Sequence, residues 1–144
     1  KGESREAYEQ KIIDAIDEFK PDIIALAGFM KVLSPFFLAS FKGKILNIHP
    51  SLLPAFPGVD AQRQAYDYGV KVTGCTVHFV DETLDGGAII LQQAVERAAS
   101  DDYESLKNKI LIQEHKLYSK AIDIVAGKMY AAENRYIKIK GETA

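Results

Sequence analysis

The chain has 144 residues, 47% of them hydrophobic, which suffices for one domain around one core. A formal charge of −2 gives no general reason to expect nucleic acid as a partner, and the single cysteine, Cys75, rules out an internal disulfide and suits a reducing cytosol. No apolar run approaches the roughly 20 residues of a membrane span, and no signal-peptide pattern is present.

Apolar residues at Tyr8, Ile12, Ala15, Ile16 and Phe19 recur at helical spacing, with Ser4 placed to cap that helix. Pro21 closes it, and Asp22–Gly28 (DIIALAG) reads as a buried strand ending at glycine. Ser34-Pro35 opens a short helix to about Phe41, and Ile45–Ile48 is the next strand. A loop rich in Pro and Gly, Pro50–Gly58, leads into a helix near Ala61–Tyr68 that Gly69 ends.

Val72–Val80 and Ala88–Val95 read as strands, and the short link Asp81–Gly87 favours antiparallel pairing between them. Glu104–Ala126 is a long helix with Leu106, Ile110, Leu117, Ala121 and Val125 on its apolar face; Met129–Ile139 forms a terminal hairpin. Alternating helices and strands in the first half predict parallel βαβ units, followed by an antiparallel ribbon. The expected fold is α/β, a three-layer sandwich with a mixed, mainly parallel sheet. Ligands in such sheets sit beyond the C-terminal ends of the parallel strands, where Gly28, Asn47 and His49 would lie.

The run Ile45–Pro54 (ILNIHPSLLP) carries the most chemical information. Residues i and i+2 of a strand share a face, so Asn47 and His49 project together, and Pro50 and Pro54 stop regular structure beyond them. An amide donor beside a proton carrier is what stabilising and deprotonating a carbonyl adduct requires, which points to acyl or formyl transfer. Each residue also has a plainer reading. A histidine before proline is more often a surface group, and Asn47 alone would be a strand-end residue bonded to backbone.

Asp85 lies in Leu84-Asp85-Gly86-Gly87 and reads either as a hairpin aspartate bonded to its own turn or as a partner that orients the His49 ring. His78 fits a satisfied sheet histidine better than a catalytic one. None of His49, His78, Asp85 and Cys75 has a recognised ligand spacing, so no metal is expected. A hydrolase built on Ser51 is disfavoured because no strand–GxSxG–helix elbow exists. The cluster Gln113-Glu114-His115 is a solvated helix face or, if the helix borders the cleft, a site for ligand hydroxyls.

Taken together, Ser4-Arg5-Glu6-Ala7-Tyr8, LAGFMKVLSP, NIHPSLLPAFPG, HFVDETLDGG and QEH resemble the phosphoribosylglycinamide formyltransferases, a folate-dependent, Rossmann-related family. The likeness runs through nearly the whole chain. It implies a cytoplasmic enzyme of purine biosynthesis that transfers a formyl group from 10-formyltetrahydrofolate to the amine of glycinamide ribonucleotide. Its partners would be small molecules, not nucleic acid or membrane, with room for a homodimer.

The resemblance makes Asn47, His49 and Asp85 the catalytic trio. Asn47 would donate to the formyl oxygen, His49 would move the proton between the amine and the folate nitrogen, and Asp85 would stabilise the imidazolium. It places the folate along Arg5, Met30, Lys31, Val32 and Leu33, beside Asn47, and along Asp81, Glu82, Thr83, Leu84 and Asp85. Backbone amides of a loop read a pterin edge, apolar side chains cover its faces, and Arg5 would pair with its carboxylate end. Leu111, Ile112, Gln113 and Glu114 match a substrate-binding stretch.

Members of the family begin with a strand and a glycine-rich loop that holds the substrate phosphate on backbone amides. Residues 1–144 contain no match to that loop, so either phosphate binding is lost or supplied elsewhere, or the chain is a piece of a longer one. The second is expected, because Asp22–Gly28 would otherwise lack neighbouring strands: a single formyltransferase domain, the C-terminal two-thirds of a longer chain, without its N-terminal strands. Two rivals belong to the same family. Formyltetrahydrofolate hydrolase usually has histidine where Pro50 stands and phenylalanine where Leu52 stands; methionyl-tRNA formyltransferase usually carries an arginine near Pro57 and an added RNA-binding domain. A non-catalytic folate-binding fragment is the reading from a different class.

Overall fold

The computed structural model describes residues 4–29 and 31–141. Helix α1 spans Arg5–Asp17, and the Ala7 amide donates to the Ser4 hydroxyl at 3.2 Å, the cap its sequence predicts. Its buried face is only partly the expected one: Ile12 and Ile16 pack against the core as predicted, but the face is shifted. Glu9 and Ile13 are buried, whereas Tyr8 is 48% and Phe19 83% exposed. The face is turned by about one position because Glu9 carries internal polar partners, which a count of apolar residues does not register.

The first strand is also shorter than the expected 22–28. Strand β1 is Ile24–Leu26 and forms the edge of a four-stranded sheet of order β1-β2-β3-β4, with β2 at Ile45–His49, β3 at Val72–Phe79 and β4 at Ile89–Glu96. Within residues 4–29 and 31–141, Ala25 is exposed while Ile24 and Leu26 are half-buried. Strand β1 runs parallel to β2, while β2–β3 and β3–β4 are antiparallel. The α/β class and the mixed sheet stand, and parallel pairing among the described residues is confined to β1 and β2. Hydrophobic alternation carries no record of strand direction, which is why the first half promised more than one parallel unit.

Alternate residues of β2 feed opposite layers. Ile45 joins Ile13, Phe37, Leu38 and Phe41 in a cluster beneath α1 and α2 (Pro35–Ser40). Leu46 joins Cys75, Val77, Leu106 and Ile110 beneath α4 (Tyr103–Ala126), whose predicted apolar face is buried throughout. Each fully buried aliphatic there stabilises the fold by about 1.5–3 kcal/mol. Tyr118 of α4 adds a polar tie, its hydroxyl lying 2.8 Å from the Leu26 carbonyl and 3.0 Å from that of Leu46. That proton, shared between β1 and β2, holds the edge strand in register.

Helix α3, Ala61–Tyr68, ends at Gly69 in the left-handed conformation, as its sequence predicts. The hairpin also forms, as β5 (Tyr130–Glu133) paired with β6 (Tyr136–Ile139), and the Tyr130 ring packs on Phe79 at 5.7 Å. Among the described residues no helix is long and apolar enough to cross a membrane.

Candidate active site

The β2–β3 register sets Asn47 opposite His78 and His49 opposite Thr76. Directly opposed residues of an antiparallel pair share a face, so four polar side chains form a compact patch on one side of the sheet. Asn47 is half-buried, while His49, Thr76 and His78 are 5%, 0% and 2% exposed. Polar groups so deep need partners, and each has one.

His78 Nδ1 lies 2.8 Å from the Phe79 carbonyl, which can only accept, so this nitrogen carries the proton. Nε2 then offers a lone pair to Asn47 Nδ2 at 3.4 Å. Burial pushes the His78 pKa down, in keeping with this neutral tautomer. His78 therefore turns the Asn47 amide and occupies one of its two N–H donors, leaving the other for a ligand oxygen. Sequence reading assigned His78 to the sheet and missed this contact; its only advance signal was the shared face with Thr76.

His49 is held by the same logic. Its Nε2 donates to the Phe56 carbonyl at 2.8 Å, which turns Nδ1 toward Asp85 Oδ2, 3.5 Å away. Asp85 is fixed in turn by the Gly58 amide, which donates to Oδ2 at 2.7 Å, and its Oδ1 lies 3.9 Å from His78 Nε2. Asp85 thus faces His49 across the fold, rather than bonding only within its own turn. It adopts a left-handed φ of 48°, and the two glycines after it are sterically required. A Cβ on Gly86 would lie 2.4 Å from Thr83 Cγ2, and one on Gly87 only 1.8 Å from the Phe79 carbonyl oxygen.

The Pro-rich loop is pinned from below. Thr76 donates to the Ser51 carbonyl at 2.7 Å and accepts from the Leu53 amide at 3.0 Å, and Gln92 donates to Thr76 Oγ1 at 3.0 Å and to the Leu53 carbonyl at 2.9 Å. Ser51 donates to the Ala55 carbonyl, and the Leu53–Pro54 bond is cis. This scaffold delivers the Phe56 carbonyl to His49 and the Gly58 amide to Asp85. Thr76, Gln92 and the two backbone groups hold the candidate site together, and sequence motifs do not mark them. Arg135, from the tip of the hairpin, donates to the Gly86 carbonyl next to Asp85 and was equally unforeseen.

The expected folate segments lie on two sides of a common apolar floor. Leu33 and Val80 pack into the cluster formed by Phe37, Leu38 and Ile45. Val32 is 73% and Leu84 66% exposed, and Asp81, Glu82 and Thr83 are exposed in a turn where the Thr83 amide donates to Asp81 Oδ1 at 2.8 Å. Lys31 stands over the Tyr8 ring at 5.5 Å. Arg5 is not free: its Nε donates to Glu9 at 3.3 Å and its Nη2 to the Val32 carbonyl. Met30 lies outside the described residues.

Four consecutive helical residues point around the whole circumference, so Leu111–Glu114 divides. Leu111 and Ile112 are 42% and 53% exposed, while Gln113 and Glu114 are half-buried. Burial pushes the Glu114 pKa up, and His115 and His49 act against that shift, so this carboxyl is within electrostatic reach of His49. A cavity of about 770 Å³ between α2, Asp81–Thr83 and the hairpin is lined by none of Asn47, His49 and Asp85. A smaller one of about 240 Å³ opens beside Asp85, with Leu53, Pro54, Leu84 and Arg135 in its wall. Convergent polar groups, not volume, locate the site.

Residues 1–122 match the family model described as formyl transferase. The chain is 44% identical over 133 residues to phosphoribosylglycinamide formyltransferase of Escherichia coli, covering 92% of this chain and 63% of that protein. It is 48% identical over 132 residues to the trifunctional purine biosynthetic protein adenosine-3 of Bos taurus, covering 91% of this chain and 13% of that protein. Among solved structures, glycinamide ribonucleotide transformylase 1 from Symbiobacterium toebii superposes with a TM-score of 0.91 at 45% identity, covering 95% of this chain and 65% of that one. The chain thus spans a little under two-thirds of these two bacterial proteins.

Proposed function

From the premise that the chain belongs to the formyl transferase family, we propose that it transfers the formyl group of 10-formyltetrahydrofolate to the amine of glycinamide ribonucleotide. The observation that carries this reading is the convergence of Asn47, His49 and Asp85, each oriented by a partner of its own. The acceptor amine attacks the formyl carbon, and the carbonyl oxygen gains negative charge. The N–H of Asn47 that His78 leaves unused donates to that oxygen, a contribution of about 3–4 kcal/mol for an oxyanion-hole donor. His49 Nδ1 takes the proton from the attacking nitrogen, since Nε2 is committed to the Phe56 carbonyl. The imidazolium then lies between a carbonyl and the Asp85 carboxylate, both of which only accept. Cleavage of the bond from the formyl carbon to N10 returns the electron pair to the folate nitrogen, which receives the proton from His49.

Folate along Arg5, Lys31–Leu33 and Asp81–Asp85, and the ribonucleotide near Gln113 and Glu114, complete the proposal. Cytoplasmic location and a homodimer belong to it as well; light scattering of the intact protein tests the second. Pro50 and Leu52 favour transfer over hydrolysis of the formyl donor. The deciding assay incubates the intact protein with 10-formyltetrahydrofolate, with and without glycinamide ribonucleotide. N-formyl product formed only with the amine is expected. Formate released at the same rate without it would make the protein a hydrolase, and folate binding without turnover would reduce it to a binding module.

A further inference from the structure

A buried carboxylate is costly unless hydrogen bonds replace its water. Glu9 is 5% exposed, yet the mechanism above makes no use of it. Its Oε1 accepts from the Ser34 amide at 3.2 Å and from Arg5 Nε at 3.3 Å, and its Oε2 accepts from the Ser34 hydroxyl. The bonds continue outward at both ends. Arg5 Nη2 donates to the Val32 carbonyl, and the Ser34 oxygen accepts from the Phe37 amide at 3.1 Å, capping α2. One carboxylate therefore ties α1 to the segment Lys31–Ser34 at two points, through Arg5 at Val32 and directly at Ser34.

Apolar burial does not secure this segment by itself. Val32 is 73% exposed, Lys31 is exposed, and only Leu33 reaches the core cluster. The backbone of Lys31–Ser34 is thus shaped by polar bonds that converge on Glu9. Charge-assisted bonds of this kind are short-range and directional, which suits holding a loop in one conformation.

We propose that Glu9 is a positioning residue of the co-substrate site: it holds Lys31–Ser34 in the ligand-ready conformation without touching the ligand. This rests on the folate reading of that segment. Titration calorimetry of the intact protein with the unreactive analogue 5,8-dideazafolate separates the two ideas. Wild type should bind, and Glu9→Gln should bind about tenfold more weakly or worse, the scale of one charge-assisted hydrogen bond. In turnover, Glu9→Gln should raise KM for the folate more than it lowers kcat. Ser34→Ala, which removes a partner rather than the charge, should weaken binding in the same direction and serves if Glu9→Gln does not fold. In the double variant the two losses should not add. Wild-type protein that fails to bind the analogue would overturn the folate reading itself. Wild-type binding matched in Kd by a folded variant would overturn the role given to Glu9.

Discussion

Asp85→Asn separates charge from shape at the centre of the proposed site. The asparagine oxygen can still accept from the Gly58 amide, now 2.7 Å from Oδ2, so the loop keeps its anchor. What disappears is the anion 3.5 Å from His49 Nδ1, which at an effective dielectric of 20 attracts a protonated ring by about 5 kcal/mol. Solvent screens this little, because the two side chains are only 6% and 11% exposed. A transition state in which His49 carries the amine's proton should lose most of that stabilisation. Turnover should fall by about two to three orders of magnitude, equivalent to 3–4 kcal/mol. Stability to urea should change by less than about 1 kcal/mol, and folate affinity by only a few-fold. Steady-state kinetics at saturating folate, beside a urea melt, measures all three. A kcat within fivefold of wild type would refute the assignment of Asp85 as the partner of a charged His49.

Thr76→Val keeps the volume of a fully buried residue but strips the Leu53 amide of its acceptor and the Ser51 carbonyl of its donor, at a cost of about 2–4 kcal/mol. A urea midpoint matching wild type would show that the loop does not depend on this hydroxyl. Arg135→Ala should speed hydrogen exchange of the amides at positions 82–87 and lower kcat by about three- to tenfold, because the hairpin then releases the Gly86 carbonyl. Unchanged exchange would mean that this contact restrains nothing. Glu9 supplies a pH test. The Ser34 hydroxyl, and after it the Ser34 amide and Arg5, hold its carboxyl below the ordinary value of 4.5 against the opposing effect of burial. The unfolded chain then takes up the proton first, so this contribution is complete above about pH 4.5 and is lost as pH falls through the depressed folded value. Urea midpoints should decline over that acid range in wild type and decline less in Glu9→Gln, and parallel curves would contradict the linkage.

Much of the architecture was open to inspection in the linear chain, because its signals are local. Ser4 and Ser34 cap helices through amides three residues away, Gly69 ends α3 by its backbone freedom, and α4 repeats its apolar face over 24 residues. Asn47 and His49 likewise declared themselves, since two residues of separation on a strand fix a common face. Where the reading slipped, a long-range partner had intervened. Part of the α1 face turned because Glu9 meets Ser34 from 25 residues away, and β3 proved antiparallel to β2 because strand direction is not encoded in a strand's own composition.

The site divides along the same line. Residue types and a short spacing nominated an amide and an imidazole for acyl or formyl chemistry, and the family resemblance added the carboxylate of Asp85. Only the fold could bring Asp85 to His49, set His78 against Asn47, and deliver the Phe56 carbonyl and Gly58 amide from a loop pinned by Thr76 and Gln92. Sequence specifies which groups can donate, accept or carry a proton. Which nitrogen of a ring is committed, and which is left for a substrate, depends on atoms a few ångströms away in space and tens of residues away in the chain.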